Sequence, residues 1–230
     1  MAGYFEPADG GGAAIALDEV EISILRSLAV QLLELIGPGT EPAAGGSHPE
    51  APPGEGAVGS TDDELAGIEG VSWPPFSDGP SEPPSDPVLA RFFPDAYGPG
   101  PAARPDEGAE PGSDEEARRK RDRAASAEFR RYTENDLRAR KREDGLAVVR
   151  ALDSLTPGER GAVLTLRPEE CKQWLGALND LRLAIGTRLE VTEDDDELYS
   201  LPDSDARKPL VMAYLWLGGL QETLVETMTP

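Results

Sequence analysis

The chain has 230 residues, a formal net charge of −22 and one cysteine, Cys171. Such an acidic chain is not expected to coat DNA or to bind an anionic membrane surface, because like charges repel. A single cysteine excludes an intramolecular disulfide and a metal site built from cysteines. The start of the chain lacks the features of a secretory signal, and the apolar stretch Leu210–Leu220 is too short to span a bilayer. We therefore expect a soluble, cytoplasmic protein without membrane contact.

The first predicted elements are a strand and a capped helix. The short apolar segment Ala13–Leu17 is expected to form the strand. Asp18 follows as a helix N-cap, and Glu21 lies three residues later, as in a capping box. Apolar residues then recur at helical spacing as far as Ile36, and Gly37 is expected to end the helix.

Residues 38–85 are expected to form a disordered insertion. They contain ten Pro, nine Gly and nine acidic residues, with no Lys or Arg. Such a segment buries too little apolar surface to offset the entropy lost on ordering. Residues 1–37 and 86–230 are then expected to form one helical domain.

The segment Asp86–Tyr97 places four large apolar residues among prolines and polar residues. The favoured interpretation is a short helix that anchors the insertion to the core. A motif that docks on a partner is the alternative.

The longest helical pattern runs from Ser113, which forms a capping box with Glu116, to about Leu155. Gly145 is a candidate break that would divide it into two helices. Thr156–Glu159 also has the pattern of a capping box and predicts another helix start.

The last third predicts a strand and two helices. Ala162–Leu166 is the strand, and Pro168 is expected at the first position of a helix that Gly186 closes. A final helix is expected from about Ala206 to Thr227. The pair Gly218 and Gly219 inside that helix predicts that another backbone packs closely there, because glycine lowers helix stability.

An internal repeat links the two ends of the chain. The strand, turn and helix of Ile15–Gly37 recur 149 residues later as Leu164–Gly186, with identical residues at several matching positions. We expect the two strands to pair. The predicted fold is therefore mainly α: a single helical domain with a small two-stranded β element, interrupted by the acidic insertion.

The segment Arg118–Arg142 holds eleven of the 22 basic residues and only four acidic ones. The candidate contacts to DNA or to a partner are Arg130, Arg131, Arg138, Arg140, Lys141 and Arg142. The favoured alternative is a helix face that balances the protein's own acidic groups, because Glu128, Glu134 and Asp136 lie at spacings that suit intrahelical ion pairs. The segment Leu155–Leu164 superficially resembles the start of a helix-turn-helix, but the helix after it is apolar rather than polar.

The sequence contains few candidates for chemistry. Cys171 is the redox candidate, although its place on an apolar helix face favours a core cysteine. The acidic run Glu193–Glu197 lacks the glycine and the distal glutamate of a calcium loop, and the only histidine, His48, lies in the insertion. We therefore expect no catalytic residues, no metal and no cofactor, and a protein that is not an enzyme.

Four segments resemble a known family: Asp86–Tyr97, Ser126–Glu134, Trp174–Leu189 and Tyr214–Leu224. Together with the amino-terminal helix they resemble the actinobacterial AosR family of oxidative-stress transcriptional regulators, formerly a domain of unknown function. The most specific piece is Asn179–Arg188. The resemblance implies a cytosolic regulator of redox homeostasis, whose family ties redox sensing to a cysteine pair that this chain does not have.

The resemblance also leaves several partners open. A regulator of this kind is expected to act mainly through protein contacts, with a sigma factor or RNA polymerase as partner, and direct DNA contact stays open. The alternative is an adaptor or accessory factor for Clp-type proteolysis, because members lie beside the Clp adaptor. A homodimer is also compatible with the sequence.

Overall fold

The computed structural model describes residues 3–38, 78–98, 114–159, 161–192 and 200–229. The elements in chain order are β1 (Glu6–Ala8), β2 (Gly12–Leu17), α1 (Glu19–Ile36), α2 (Pro87–Phe92), α3 (Asp114–Asp153), β3 (Ala162–Leu166), α4 (Pro168–Arg188) and α5 (Lys208–Met228). The prediction of a mainly helical fold with a small β element is confirmed. Most of the predicted insertion, the cap at Ser113 and the acidic run Glu193–Glu197 lie outside the described residues.

The sheet has three antiparallel strands in the order β1-β2-β3. Strands β2 and β3 pair from Ala13 opposite Leu166 to Leu17 opposite Ala162, as the repeat predicted. Strand β1 was not predicted, because three residues that include a proline carry no alternating pattern. It reaches β2 through a turn in which Gly10 and Gly11 both have positive φ, a conformation that glycine adopts without strain.

Helix α1 begins and ends as its sequence predicts. The Glu21 amide donates to Asp18 Oδ1 at 2.8 Å, and the Asp18 amide donates to Glu21 Oε2 at 2.9 Å, which completes the capping box. Gly37 ends the helix with a φ of 82°. The buried face of the helix consists of Leu25, Ala29, Leu32 and Ile36.

Helix α3 is continuous over 40 residues, so the prediction that Gly145 divides it is wrong. Gly145 is buried, and a Cβ there would lie 3.1 Å from Leu33 Cδ2 of α1. The glycine therefore allows α1 to approach α3 closely. The helix start predicted at Thr156 is also wrong, because Gly158 and Gly161 exchange two backbone hydrogen bonds and form a turn into β3.

Helix α4 begins at Pro168 as predicted but continues two residues past Gly186 to Arg188. Gly186 instead faces Tyr214 of α5, whose Cε2 would lie 3.2 Å from an added Cβ. In α5, the expectation that a backbone packs against Gly218 and Gly219 is wrong. Side chains occupy those places, since Arg182 lies beside Gly218, and Tyr4 lies beside Gly219.

The core contains residues from both sides of the insertion. Trp174 of α4 is 1% exposed and meets Phe5 edge to face, with ring centroids 6.0 Å apart. Val88, Phe92 and Phe93 are buried, so α2 anchors its segment to the core as predicted. None of the helices in the described ranges combines the length and the apolar character needed to cross a bilayer.

Candidate functional site

Cys171, the redox candidate, lies in the core at the first turn of α4. The residue is 0% exposed, and its Sγ lies 3.9 Å from the Leu166 carbonyl oxygen. Burial raises the pKa of the Cys171 thiol, and a hydrogen bond from the Ala13 backbone only partly offsets this effect. A reactive cysteine needs the opposite conditions, an exposed sulfur with a lowered pKa. Thiol chemistry at Cys171 in the folded state is therefore disfavoured.

Arg130, one of the six basic candidates, is buried in an ion-pair network. Its Nη1 donates to the Phe93 carbonyl oxygen and to Glu134 Oε2, each at 2.8 Å. Its Nη2 donates to Asp95 Oδ1, also at 2.8 Å. The side chain is 4% exposed, so Arg130 joins α3 to the segment that follows α2.

Glu134 is the centre of this network. It is 2% exposed and accepts hydrogen bonds from both Arg130 and Arg138, one helical turn to either side. Arg138 also donates to the Ile36 carbonyl oxygen at 2.9 Å and lies 4.3 Å from the Phe93 ring centroid. The spacing of Glu134 predicted intrahelical pairs, and the structure confirms them. The network joins α1, α3 and the residues after α2.

Two further candidates also bind residues of other helices. Lys141 Nζ lies 2.6 Å from Asp180 Oδ1 of α4. Arg142 donates to the carbonyl oxygens of Leu33 and Gly37 at the end of α1. The Leu33 carbonyl also accepts from the Gly37 amide at 3.1 Å, and a cation at this point opposes the negative end of the helix dipole.

Arg131 and Arg140 are the two candidates that remain exposed. Arg131 Nε lies 3.5 Å from Asp78 Oδ1, and its Nη2 donates to Tyr132 Oη at 2.9 Å. The four other candidates help to hold the helices together. Contact of the six basic candidates with DNA or with a partner stays a prediction. Of the six, only Arg131 and Arg140 are exposed enough to make such a contact.

Exposed basic residues are more numerous on the amino-terminal half of α3. Arg118, Lys120, Arg121 and Arg123 are all exposed there. Three exposed aromatic side chains form what we call the aromatic patch: Tyr97, which precedes α3, and Phe129 and Tyr132 of α3; they are 51%, 48% and 56% exposed. The rings of Tyr97 and Phe129 meet edge to face at 6.3 Å. The sequence analysis did not identify this patch.

A cavity of about 720 Å³ opens between α2, α4 and α5. Its lining residues are Pro87, Ala90, Arg91, Asn179, Arg182, Leu183, Gly186, Thr187, Glu190, Val191 and Tyr214. Five of them belong to the segment Asn179–Arg188, the most specific part of the family resemblance. The sequence analysis did not select Arg91 of α2 or Arg182 of α4, because nothing in the residues around them shows that α2 and α4 meet at a cavity.

The described residues contain no group of three or more His, Cys, Asp or Glu side chains that could hold a metal ion. Of the buried polar residues among them, Arg130, Glu134 and Asp180 form ion pairs, and Ser126 donates to the Tyr97 carbonyl oxygen. The arrangement therefore supports binding through charge and shape, with the exposed face of α3 and the cavity as its two candidate surfaces.

Comparison with known proteins gives one family. The family model described as "Domain of unknown function (DUF2017)" matches residues 2–228. "Oxidative stress regulator AosR" of Mycobacterium tuberculosis (strain ATCC 25618 / H37Rv) is 32% identical over 166 residues, which cover 72% of this chain and 66% of that relative. The protein of the same name from Mycobacterium bovis gives the same values. The chain thus spans about two thirds of the length of these curated relatives. No solved structure matches the chain.

Proposed function

The chain belongs to the DUF2017 family, and we propose that it is a regulator of the oxidative stress response that acts through protein contacts. The relatives named oxidative stress regulator AosR support the biological role. In this proposal the protein is cytosolic, acts on transcription and is not an enzyme. Its partner is a sigma factor or RNA polymerase.

The observation that supports protein contact is the placement of charge and aromatic groups along α3. Arg130, Arg138, Lys141 and Arg142 bind groups of this chain. Exposed side chains of this region include Arg131, Arg140, the basic residues near the start of α3 and the aromatic patch. Tyr, Phe and Arg are enriched at protein interfaces, where a few such residues supply most of the binding energy. This surface therefore suits a protein partner that presents acidic and apolar groups.

Direct recognition of DNA is the weaker interpretation. The net charge of −22 repels a polyanion, and affinity for DNA depends on releasing counterions through many phosphate contacts. Arginines that are held by Glu134 and by the end of α1 cannot make such contacts without breaking the fold. A protein surface requires fewer charges and also uses the aromatic patch.

The proposal also concerns how the stress signal reaches this protein. The chain has one cysteine, and its thiol is buried with a raised pKa. We therefore place the oxidant-sensitive group on the partner, and assign to this chain the contact that transmits the signal.

The test is affinity capture from cell extract with the full chain as bait. The variant F129A/Y132A removes two rings of the aromatic patch, and V163A removes an exposed apolar side chain from β3 as the matched control. We expect the unchanged chain and V163A to recover a sigma factor or RNA polymerase, and F129A/Y132A to lose it. Recovery of a Clp component instead would favour the adaptor alternative. Equal recovery by all three baits would contradict the proposed surface.

A second measurement separates protein contact from DNA contact. A gel shift with promoter DNA at physiological salt is expected to show no binding by the unchanged chain. Binding that is lost when Arg118, Lys120, Arg121 and Arg123 are changed to Ala would replace the proposal with direct recognition of DNA.

A further inference from the structure

Arg182 points to a function for the cavity between α2, α4 and α5. Its Nη1 donates to Gln221 Oε1 at 2.7 Å, and its guanidinium carbon lies 5.2 Å from the Tyr214 ring centroid. These contacts fix the guanidinium beside the cavity. Its Nε is buried and has no hydrogen-bond acceptor among the described residues. Arg130 Nε and Trp216 Nε1 are also buried without a partner among the described residues, but of these three residues only Arg182 lines the cavity.

No carboxylate of the described residues forms an ion pair with Arg182. The eleven ion pairs seen among those residues engage other arginines and one lysine, Lys141. Among the described residues, the group that accepts from Arg182 is the neutral amide of Gln221. A guanidinium that is held in place is well suited to bind a planar anion, usually through two parallel hydrogen bonds.

Glycines of α4 and α5 lie beside this arrangement. A Cβ at Gly218 would lie at ordinary contact distance, 3.5 Å, from Arg182 Nε, so the guanidinium lies against α5 at this point. A Cβ at Gly186 would lie 3.2 Å from Tyr214 Cε2, so the ring packs against bare backbone of α4. Gly186 therefore allows the Tyr214 ring to lie close to α4 at the cavity wall, although glycine is unfavourable inside a helix.

The charge and size of the cavity narrow the class of ligand. Two arginines, Arg91 and Arg182, face one acid, Glu190, so the lining is positive within a strongly acidic protein. Glu190 would repel a ligand with several negative charges. Pro87 and Val191 supply apolar wall, and a volume of about 720 Å³ is that of a site for a small molecule.

We propose that this cavity binds a small organic acid with one carboxylate, which Arg182 holds together with Arg91. The apolar body of the ligand lies against the wall formed by Pro87, Leu183 and Val191. Because α4 and α5 carry much of the core, a ligand that joins them to α2 stabilises the folded state by mass action. The site makes the chain responsive to a small molecule, independently of the partner surface on α3.

The experiment measures the binding of carboxylates and of their neutral amides to the full chain. Benzoate and hexanoate are titrated against benzamide and hexanamide, with ligand-observed NMR for affinity and thermal unfolding for stabilisation. We expect at least one of the two acids to bind saturably and about tenfold more tightly than its amide, because a hydrogen bond to a charged group is stronger than one between neutral groups. R182Q is expected to weaken binding of that acid by about tenfold.

Two further variants keep the test decisive. Arg91 is exposed at the rim, so R91Q should fold normally and weaken binding less than R182Q does. Arg123 is exposed on α3, so R123Q removes the same charge far from the cavity lining and should bind as the unchanged chain does. If R182Q fails to fold, R91Q decides the result.

Three outcomes would overturn the proposal. The first is that neither acid binds, or that the amides bind as well as the acids. The second is that the folded arginine variants of the cavity bind as well as R123Q. The third is that a short acidic peptide competes for the cavity and binds more tightly than any small acid, which would assign the cavity to a protein ligand.

Discussion

Lys141 Nζ lies 2.6 Å from Asp180 Oδ1, and this pair joins the longest helix, α3, to α4 inside the protein. Asp180 is 2% exposed, and Lys141 Nζ also lies 5.1 Å from the Phe92 ring centroid. Burial raises the pKa of the Asp180 carboxyl, while the ammonium of Lys141 acts in the opposite direction. The lysine that the sequence offered as a surface contact is therefore a group that favours the charged form of a buried carboxyl.

Removing the lysine should destabilise the protein more than removing an exposed one. K141M leaves Asp180 buried without its cation, and we expect the free energy of unfolding to fall by about 3 kcal/mol. In the double variant K141M/D180N the loss should be smaller than the sum of the two single losses, because neither charge remains. K172M, an exposed lysine on α4, is the control and should change stability little. Urea denaturation measures all four proteins, and additive losses would contradict the coupling.

Asp144 should give the protein an unusual dependence on pH. Burial raises its pKa from 3.8 to about 6, and nearby Asp180 contributes in the same direction. Between these two values the folded state holds more protons than the unfolded chain, so stability falls as pH rises through that window. D144N should therefore leave stability unchanged near pH 4 and raise it by about 1 kcal/mol at pH 7.5, after allowance for solvent screening.

Denaturation midpoints at both pH values test this expectation. D136N, which changes an exposed aspartate on the same helix, is the control and should have little effect at either pH. A stabilisation by D144N that is equal at both pH values would show that ionisation of Asp144 is not its cause.

Glu134 should be the most sensitive acidic position on α3. E134Q removes the charge that Arg130 and Arg138 share, and the nearly buried Arg130 then keeps, among the described residues, only the half-exposed Asp95 as an anionic partner. We expect the free energy of unfolding to fall by about 3 kcal/mol. The control E128Q changes an exposed glutamate, where ion pairs contribute at most about 1 kcal/mol. Similar urea midpoints for the two variants would mean that the network does not stabilise the fold.

The thiol of Cys171 should be protected in the folded protein. Its burial and raised pKa predict slow reaction with a thiol reagent, at a rate set by opening of the structure. K172C places a second thiol on the exposed neighbouring position and should add one thiol that reacts at least about a hundredfold faster. Mass spectrometry over time, with and without denaturant, distinguishes the two thiols. Rapid labelling of Cys171 without denaturant would restore it as a redox candidate.

Replacing Gly218 by alanine should stabilise the protein, whereas replacing Gly161 should destabilise it. At Gly218 a Cβ would make ordinary contact with Arg182 Nε at 3.5 Å, so G218A should gain up to about 1 kcal/mol from helix propensity. At Gly161 the φ is 84° and a Cβ would lie 2.3 Å from the Leu17 carbonyl oxygen. G161A should therefore lose at least about 2 kcal/mol. Thermal unfolding compares the stability of the two variants. A lower stability of G218A than of the unchanged chain would indicate that the contact with Arg182 requires a glycine.

Features fixed by neighbouring residues could be predicted from the sequence. The capping box of Asp18 and Glu21, the start of α4 at Pro168 and the pairing of Ala13–Leu17 with Ala162–Leu166 all appear in the structure. Caps and strand patterns depend on chemistry within a few residues, and the internal repeat supplied the long-range pairing. The prediction failed at Gly145, because the reason for that glycine is Leu33, a residue on another helix.

The roles of the arginines and of Lys141 could be decided only by the tertiary structure. The sequence established that α3 is basic and that Glu134 could pair within the helix, but not that Arg142 meets Gly37 or that Lys141 meets Asp180. The cavity depends likewise on α2, α4 and α5 meeting around Arg182. The contribution of a charged side chain to stability depends on how much solvent reaches it and on which charges lie near it. Residues that are distant in sequence decide both. The sequence alone therefore determined most of the elements and their charges, and packing determined which charges hold the fold together and which remain free to bind.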